Sequence, residues 1–239
     1  MKKLALVLWT ACAAGAAEKR PMTFLDVMHV RAVEGGELSR DGKRFAYLVR
    51  ELDWKAGKRF SDVYVTSAAG GPSRRLTFSA GKMETDPTFS PDGEWLAFVS
   101  DREGSNQLYL MPLSGGEPRK ISDPPGTVAS FAFSRDGKWL AYRSGRGETG
   151  QIHLYDMAKD KAEALTKHAT GVGTFAWAPD SSRIYFTAAD ERDEWERRRM
   201  DLKFDVRLVD APRQAEHLWE VALDKNEKRL TSGDFSVRR

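Results

Sequence analysis

The sequence of 239 residues contains a single cysteine, Cys12, so no internal disulfide can staple the fold. Its four histidines, His29, His153, His168 and His217, lie far apart. Without H-x-x-x-H or paired-cysteine spacing, a metal site has no support. No G-x-S-x-G nucleophile elbow occurs, and no paired carboxylates stand out as an acid/base couple. Glycines fall in turns and not in a strand, G-x-G-x-x-G, helix setting, so no dinucleotide site or other cofactor is indicated. An excess of one charge is also missing. The formal net charge is +3, which gives no electrostatic case for nucleic acid or an anionic membrane surface. No apolar run reaches the roughly 20 residues that an integral membrane span needs.

The first residues, "MKKLALVLWTACAAGAA", have two lysines, an apolar run from Leu4 to Ala14, and small residues before Glu18. That is the build of a signal peptide over residues 1–17, and it implies a periplasmic or secreted protein. Its loss would bring the net charge to about +1, because residues 1–17 hold two basic and no acidic side chains. Cys12 offers a lipoprotein alternative. That signal takes a small aliphatic residue three positions earlier, where Trp9 stands. An exported chain without disulfides must be held by its core alone.

What the sequence does have is one phrase written four times: "LSRDGKRFAYLV" (38–49), "FSPDGEWLAFVS" (89–100), "FSRDGKWLAYRS" (133–144) and "WAPDSSRIYFTA" (177–188). The last three start 44 residues apart, and the first gap is 51. A fixed period of this size signals a repeat architecture, and propeller blades are about 40–50 residues. The second unit reads as "DPTFS", a P-D-G turn, "EWLAFVS", a loop, "QLYLMPL", an S-G-G-E turn and a short polar "PRKIS". Gly93 and Gly115–Gly116 suit turns needing positive φ, and the polar last strand suits an outer edge. Four antiparallel strands per unit make one blade.

The fold class is therefore all-β: a partial β-propeller of four four-stranded blades behind a short helical lead-in at 18–37. The blades are expected over 38–80, 81–123, 124–167 and 168–233, with a further blade beginning at 234–239. The rows Trp95/Ala97/Val99 and Leu96/Phe98, and their copies Trp139/Ala141 and Leu140/Tyr142, bury by stacking on neighbouring blades. Four such blades leave two outer faces bare. These are expected around Phe45, Tyr47 and Val49 in the first blade and around Ile184, Phe186, Leu218 and Trp219 in the last.

The fourth unit breaks the pattern. Its turn reads Pro179-Asp180-Ser181-Ser182, without glycine, and about 21 extra residues, lying within "ERDEWERRRMDLKFDVRLVDAPRQAE", separate its second and third strands. Charge runs of this kind usually form a solvated loop or short helix. The chain then writes "KRLTS" as a fourth strand and "FSVRR" as the approach to another blade.

The stretches "LSRDGKRFAYLVRE", "FSPDGEWLAFVSDREGSNQLYLMPLSGGEPRKIS" and "HLWEV" closely resemble the N-terminal propeller of bacterial prolyl oligopeptidase family serine peptidases, of the dipeptidyl aminopeptidase and acylaminoacyl peptidase type. "MTFLDVMHVRAVEGGELSRDG" (22–42) resembles that family's helical lead-in, with Thr23 and Asp26 as a capping-box pair. The S-P-D-G turn is shared with TolB-type periplasmic propellers. The combination of lead-in, blade order and insertion is more specific to the peptidases.

The resemblance implies a partner: an α/β-hydrolase domain carrying the nucleophile, whose active site the propeller covers so that only short peptides enter. No catalytic residue of that domain occurs in this chain, so none is carried over. The resemblance also implies a role for propeller carboxylates that hold a peptide's free N-terminus, for which Glu194 or Glu196 of the insertion are the candidates. The alternative is a non-enzymatic, TolB-like periplasmic interaction propeller. The signal-peptide reading predicts that exported protein begins near Glu18. Intact mass checks this, and a retained Met1 or a lipidated Cys12 would overturn it.

Overall fold

The structure, a computed structural model, describes residues 20–79, 81–122, 126–202 and 214–237. The expected signal peptide and Cys12 lie outside these residues. The chain divides into two units, 1–30 and 31–239. In the first, helix α1 (Phe24–Met28) begins with the expected capping box. Thr23 Oγ1 accepts the Asp26 N–H at 3.3 Å, and the Asp26 carboxylate accepts the Thr23 N–H at 2.7 Å. The Arg20 guanidinium beside it, followed by these bonds, holds the Asp26 carboxyl well below the usual range.

The second unit is four sheets of four antiparallel strands, each sheet in chain order. Blade 1 is β1 (Ala32–Leu38), β2 (Arg44–Asp53), β3 (Lys58–Ser67) and β4 (Arg74–Arg75). Blade 2 is β5 (Glu84–Phe89), β6 (Trp95–Ser100), β7 (Gln107–Pro112) and β8 (Arg119–Lys120). Blade 3 is β9 (Val128–Phe133), β10 (Trp139–Ser144), β11 (Gln151–Asp156) and β12 (Lys161–Ala164). Blade 4 is β13 (Phe175–Trp177), β14 (Arg183–Ala189), β15 (Glu216–Ala222) and β16 (Glu227–Arg229). The partial β-propeller read from the repeat is thus present.

Strand β1 falls almost wholly inside the stretch read as lead-in. Gly35 and Gly36 break its apolar pattern, and the β1–β2 register shifts across them. Gly36 has φ +153, and a Cβ there would sit 2.5 Å from the Phe45 ring, so the glycine lets that ring lie on the backbone.

The repeated turn has a repeated mechanism. In blades 1 to 3, Ser39, Ser90 and Ser134 each donate a hydroxyl bond to an aspartate two residues on: Asp41, Asp92 and Asp136. The same hydroxyls accept the first N–H of the next strand, from Arg44, Trp95 and Trp139, at 2.9–3.0 Å. Gly42, Gly93 and Gly137 follow at φ near +72, the left-handed region that favours glycine. In blade 4, Ala178 stands where the serine should be. Ser181 takes the left-handed position at φ +61; Asp180 accepts the Ser182 N–H at 3.0 Å, as the other turn aspartates accept the N–H two residues on, and takes Ser182 Oγ at 2.8 Å in place of the missing serine.

Every blade has an upstream face toward the preceding blade and a downstream face toward the next. Downstream Ala46, Leu48, Val63 and Val65 of blade 1 pack on upstream Leu96, Phe98, Tyr109 and Met111 of blade 2. Downstream Ala97, Val99, Leu108 and Leu110 pack on upstream Leu140, Tyr142 and Tyr155 of blade 3. Downstream Ala141, Ile152 and Leu154 pack on upstream Ile184, Phe186 and Val221 of blade 4. Among the described residues no apolar cluster joins blade 4 to blade 1.

This arrangement corrects the expected bare face of blade 4. Ile184 and Phe186 are 0% and 1% exposed, and Trp219 stacks on Phe186 at 6.3 Å on the same upstream face. Alternation along a strand has period two, so the outward residues are their neighbours Tyr185, Thr187, Leu218 and Glu220. In blade 1, Val49 is also buried, whereas Phe45, Tyr47 and Tyr64 form a partly exposed stack on the upstream face at 6.1 and 5.7 Å.

A second tie recurs on each third strand, near its start in blades 2 to 4 and at mid-strand in blade 1. Thr77, Ser122, Thr166 and Thr231 accept the N–H of Val63, Leu108, Ile152 and Leu218 at 2.8–2.9 Å. The same hydroxyls contact the side chains of Asp62, Gln107, Gln151 and His217. Between blades 1 and 2 the tie widens into a buried network. Glu84, fully buried, accepts from Thr77, from Ser79 at 2.8 Å and from Arg102 at 2.5 Å, while Asp62 pairs with Arg75 at 2.5 Å.

Thr166→Val would leave the Ile152 N–H without its buried partner, while Gln151 keeps its two bonds to His168. A loss of about 1–3 kcal/mol in denaturant unfolding is expected. The pH profile should carry two opposed slopes. Hydrogen bonds from Ser39, Ser134 and Ser182 lower the carboxyls of Asp41, Asp136 and Asp180 below their usual range. Their stabilisation is present above that range and is lost as pH falls from about 5 to 3. Burial raises Glu84, so its contribution is greatest when protonated and falls as pH rises through its raised value. Melting curves of Ser134→Ala should flatten the acid limb, and those of Glu84→Gln the opposing one.

Candidate functional site

Consecutive strands alternate in direction, so each blade has two ends. One end carries the first-to-second and third-to-fourth turns. The other, the loop end, carries the second-to-third loops and the links between blades. Among the described residues of the second unit, the exposed large apolar side chains outside strand β1 are Trp54, Phe78, Trp195, Leu202, Leu230 and Phe235. All six lie in loop-end segments. Three of the aromatics carry a cation over the ring: Lys55 on Trp54 at 5.8 Å, Arg75 on Phe78 at 4.6 Å and Arg199 on Trp195 at 4.8 Å. At the turn end the one exposed large apolar side chain among the described residues is Leu38, at the end of β1.

The insertion belongs to this loop end. It leaves β14 after Ala189 and returns at β15, and it contains helix α2 (Glu194–Asp201). Asp193 starts the helix, its carboxylate accepting the Glu196 N–H at 2.7 Å. Arg192 pairs with Glu148 in the short 3-10 turn Gly147–Thr149 of blade 3, which ties the start of the insertion to its neighbour.

The base of the insertion is organised by Asp190. Its N–H donates to Ala215 O at 2.8 Å, its carbonyl accepts from Gln214 at 2.6 Å, and its carboxylate faces Arg229 at 3.0 Å and His217 Nε2 at 3.2 Å. His217 Nδ1 lies 3.3 Å from Thr231 Oγ1. Asp190, His217 and Thr231 thus place a carboxylate, an imidazole and a hydroxyl in a row, but His217 Nε2 makes no hydrogen bond and a catalytic role does not fit. His217 is fully buried, and Thr231 Oγ1 already accepts the Leu218 N–H as the third-strand tie of every blade. The sequence carries a signal for that tie, a hydroxyl 13 or 14 residues after the third-strand residue whose N–H it accepts, in "RLT", "KIS", "ALT" and "RLT". It went unread.

Glu194 and Glu196 sit on the first turn of α2. Glu194 is exposed and Glu196 half-exposed. Residues i and i+2 do not share a helix face, so the two carboxylates cannot converge on one ammonium. At most one of them can face a given chamber. Two grooves are built from other residues. One, of about 590 Å³, runs between blades 1 and 2 past Arg74, Arg75, Phe78 and Arg102. The other, of about 310 Å³, lies on the downstream face of blade 4 between Thr174, Ala176, Tyr185, Thr187, Leu218 and Val237. Among the described residues no group of three or more His, Cys, Asp or Glu could hold a metal ion, and no helix is long and apolar enough to cross a membrane.

Known proteins place the chain. It is 37% identical over 108 residues to a Bacillus subtilis protein named uncharacterized peptidase YuxL, covering 45% of this chain and 16% of that one. It is 47% identical over 58 residues to the Tol-Pal system protein TolB of Bordetella pertussis, covering 24% of this chain and 13% of that one. Among solved structures, a Mycobacterium tuberculosis puromycin-hydrolyzing peptidase superposes with TM-score 0.60 at 14% identity, over 86% of this chain and 29% of that one. The chain thus spans under a third of each of these proteins. Residues 37–214 match the family described as PD40, TolB beta propeller domain. That match takes in about three-quarters of the sequence, and the chain belongs to the TolB beta propeller domain family.

Proposed function

We propose that this chain is the exported propeller portion of a prolyl-oligopeptidase-type serine peptidase of the dipeptidyl aminopeptidase or acylaminoacyl peptidase type. Its task is to cover an α/β-hydrolase domain and admit only short peptides. The 108-residue likeness to a peptidase carries this reading. The apolar loop end supports it, because six exposed large side chains gathered at one end mark a surface that another body covers. The helix of the insertion stands at that end. There Glu194 or Glu196 would take the free amino group of a bound peptide. The bond from Val237 N–H to Glu216 O, 2.8 Å, repeats those from Val128 to Asn106 and from Val172 to Gly150, which lead into blades 3 and 4. It supports a further blade beginning there.

The second reading is a periplasmic interaction propeller of TolB type, favoured by the 58-residue likeness to TolB. The two readings separate on the reading frame beyond codon 239. More blades and a G-x-S-x-G elbow support the peptidase, and an immediate stop with no hydrolase sequence nearby supports the interaction module.

The chain by itself should not turn over aminoacyl or acyl-aminoacyl chromogenic substrates, and fluorophosphonate-sensitive turnover would show a catalytic serine in it. In the complete peptidase, replacing the carboxylate that holds the amino group, by Glu194→Gln or Glu196→Gln, should raise KM about 10- to 100-fold. That is the value of a charge-assisted bond. The effect should appear for peptides with a free N-terminus and not for N-acylated ones. Equal effects on both substrates would remove the amine-holding role.

A further inference from the structure

We propose that the groove between blades 1 and 2 binds a small carboxylate with an aromatic body, the carboxylate pairing with Arg74. The groove has a volume of about 590 Å³, and its walls include Arg74, Arg75, Phe78, Arg102, Met111 and Gly116. That volume suits a small organic molecule. All four strands of each blade that forms it are among the described residues.

The repeat displays how such an interface is filled from within. Register places Arg119 of blade 2 and Glu163 of blade 3 at the position that Arg74 holds in blade 1. Arg119 pairs with Asp160, on the β11–β12 turn of blade 3, and its guanidinium lies over Trp95 at 5.2 Å and Tyr155 at 5.9 Å. Glu163 pairs at 3.1 Å with Lys225, on the same turn of blade 4. At both interfaces a charge on a fourth strand is met by the opposite charge on the next blade's turn.

The first interface lacks that partner. The 44-residue period sets Gly116 at the position of Asp160 and Met111 at that of Tyr155. Gly116 has no side chain to offer, and Arg74 has no ion pair among the described residues. Arg74 Nη2 donates to Leu113 O at 2.6 Å, while Nε and Nη1 make no bond. Met111 and Gly116 both line the groove, so it opens where the next interface holds a ring and a carboxylate.

The other walls are fixed from behind. Arg75 and Arg102 each give Nη2 to a buried carboxylate, Asp62 and Glu84, at 2.5 Å. Their Nε atoms donate to Thr77 O at 2.9 Å and Ser100 Oγ at 3.2 Å, and Nη1 of each makes no bond among the described residues. The groove surface thus carries three guanidiniums against one carboxylate, Glu117. Burial raises the Glu84 carboxyl, which weakens the opposing charge behind the surface. Phe78 is 73% exposed, with the Arg75 guanidinium 4.6 Å from its ring centre, and offers an aromatic wall. A planar guanidinium takes a carboxylate at two points, and rings stack on one another. A molecule carrying both groups supplies what Asp160 and Tyr155 supply one blade further on. The inference is independent of the peptidase reading.

Binding of phenylacetate to the full chain, followed by calorimetry, tests this. Phenethyl alcohol lacks the carboxylate and inorganic phosphate lacks the ring. Phenylacetate should bind with Kd of about 1 millimolar or below, and each of the other two about tenfold more weakly or worse. Arg74→Ala should weaken phenylacetate binding about tenfold and Phe78→Ala about threefold. Both side chains are exposed, so thermal melting should be unchanged. Lys138→Ala, which removes an exposed cation at the turn end of blade 3, should leave binding as it is. The proposal is overturned if phenylacetate fails to bind at about 10 millimolar. It is equally overturned if either comparison probe binds as tightly, or if Arg74→Ala or Phe78→Ala protein binds as the wild type does.

Discussion

The structure depends on one constraint: a blade is a single sheet with two apolar faces, and it can bury neither by itself. Leu96 and Phe98 need blade 1, while Ala97 and Val99, their immediate neighbours on the strand, need blade 3. With about 1.5–3 kcal/mol for each large apolar side chain taken out of water, the three interfaces supply most of the stabilisation. No disulfide helps them. Stability in such an array is carried by nearest-neighbour contacts, so what happens at its two ends matters more than in a globule.

The polar ties serve this burial by fixing register. A slip of one residue in β6 would exchange the Leu96/Phe98 row with the Ala97/Val99 row and bring large side chains against large ones on one face. The serine–aspartate turn prevents this at one end of the first two strands. It binds the first N–H of the second strand to a hydroxyl that the aspartate orients. The hydroxyl on the segment after the fourth strand does the same at the start of the third. Both ties sit where strands are short and pairing alone specifies register weakly, as in the two-residue strands β4 and β8.

Much of this was legible in the sequence, because packing dictates it. The 44-residue period, the turn chemistry and the alternating rows of blades 2 and 3 all follow from the need to present two complementary faces at every repeat. Strand β1 was not legible, since Gly35 and Gly36 serve the Phe45 ring and not the strand's own apolar pattern. The outward face of blade 4 was misjudged by one residue. Ile184 and Phe186 read as the apolar face of a terminal blade, yet they belong to the face already covered by blade 3. The loop-end surface was hidden for another reason. Trp54, Phe78 and Phe235 share an end of the blades only through strand direction, and nothing in their local sequence distinguishes them from core residues. Glu194 and Glu196 could be picked out by charge density alone. Their separation around the helix axis needed the helix.

Blade 4 is where the repeat is relaxed, and it is relaxed in several independent ways. Ala178 and Ser181 replace the serine and glycine of the turn, and Arg183 replaces a tryptophan. His217 replaces the glutamine of blades 2 and 3, and an insertion with its own helix opens between two strands. Each change departs from a solution that the same chain uses successfully elsewhere, so packing does not explain them. Their locations divide them into two groups. Ala178, Ser181, Arg183 and Glu220 lie on or beside the downstream face and alter what that face can pair with. His217 and Asp190 stand at the base of the insertion and hold it to the body of the blade. Local rules that a sequence otherwise obeys are broken most often where function requires it. Here the breaks converge on one blade, which also carries the charged helix α2 at the loop end, so the fourth repeat is where the described residues depart furthest from what packing alone requires.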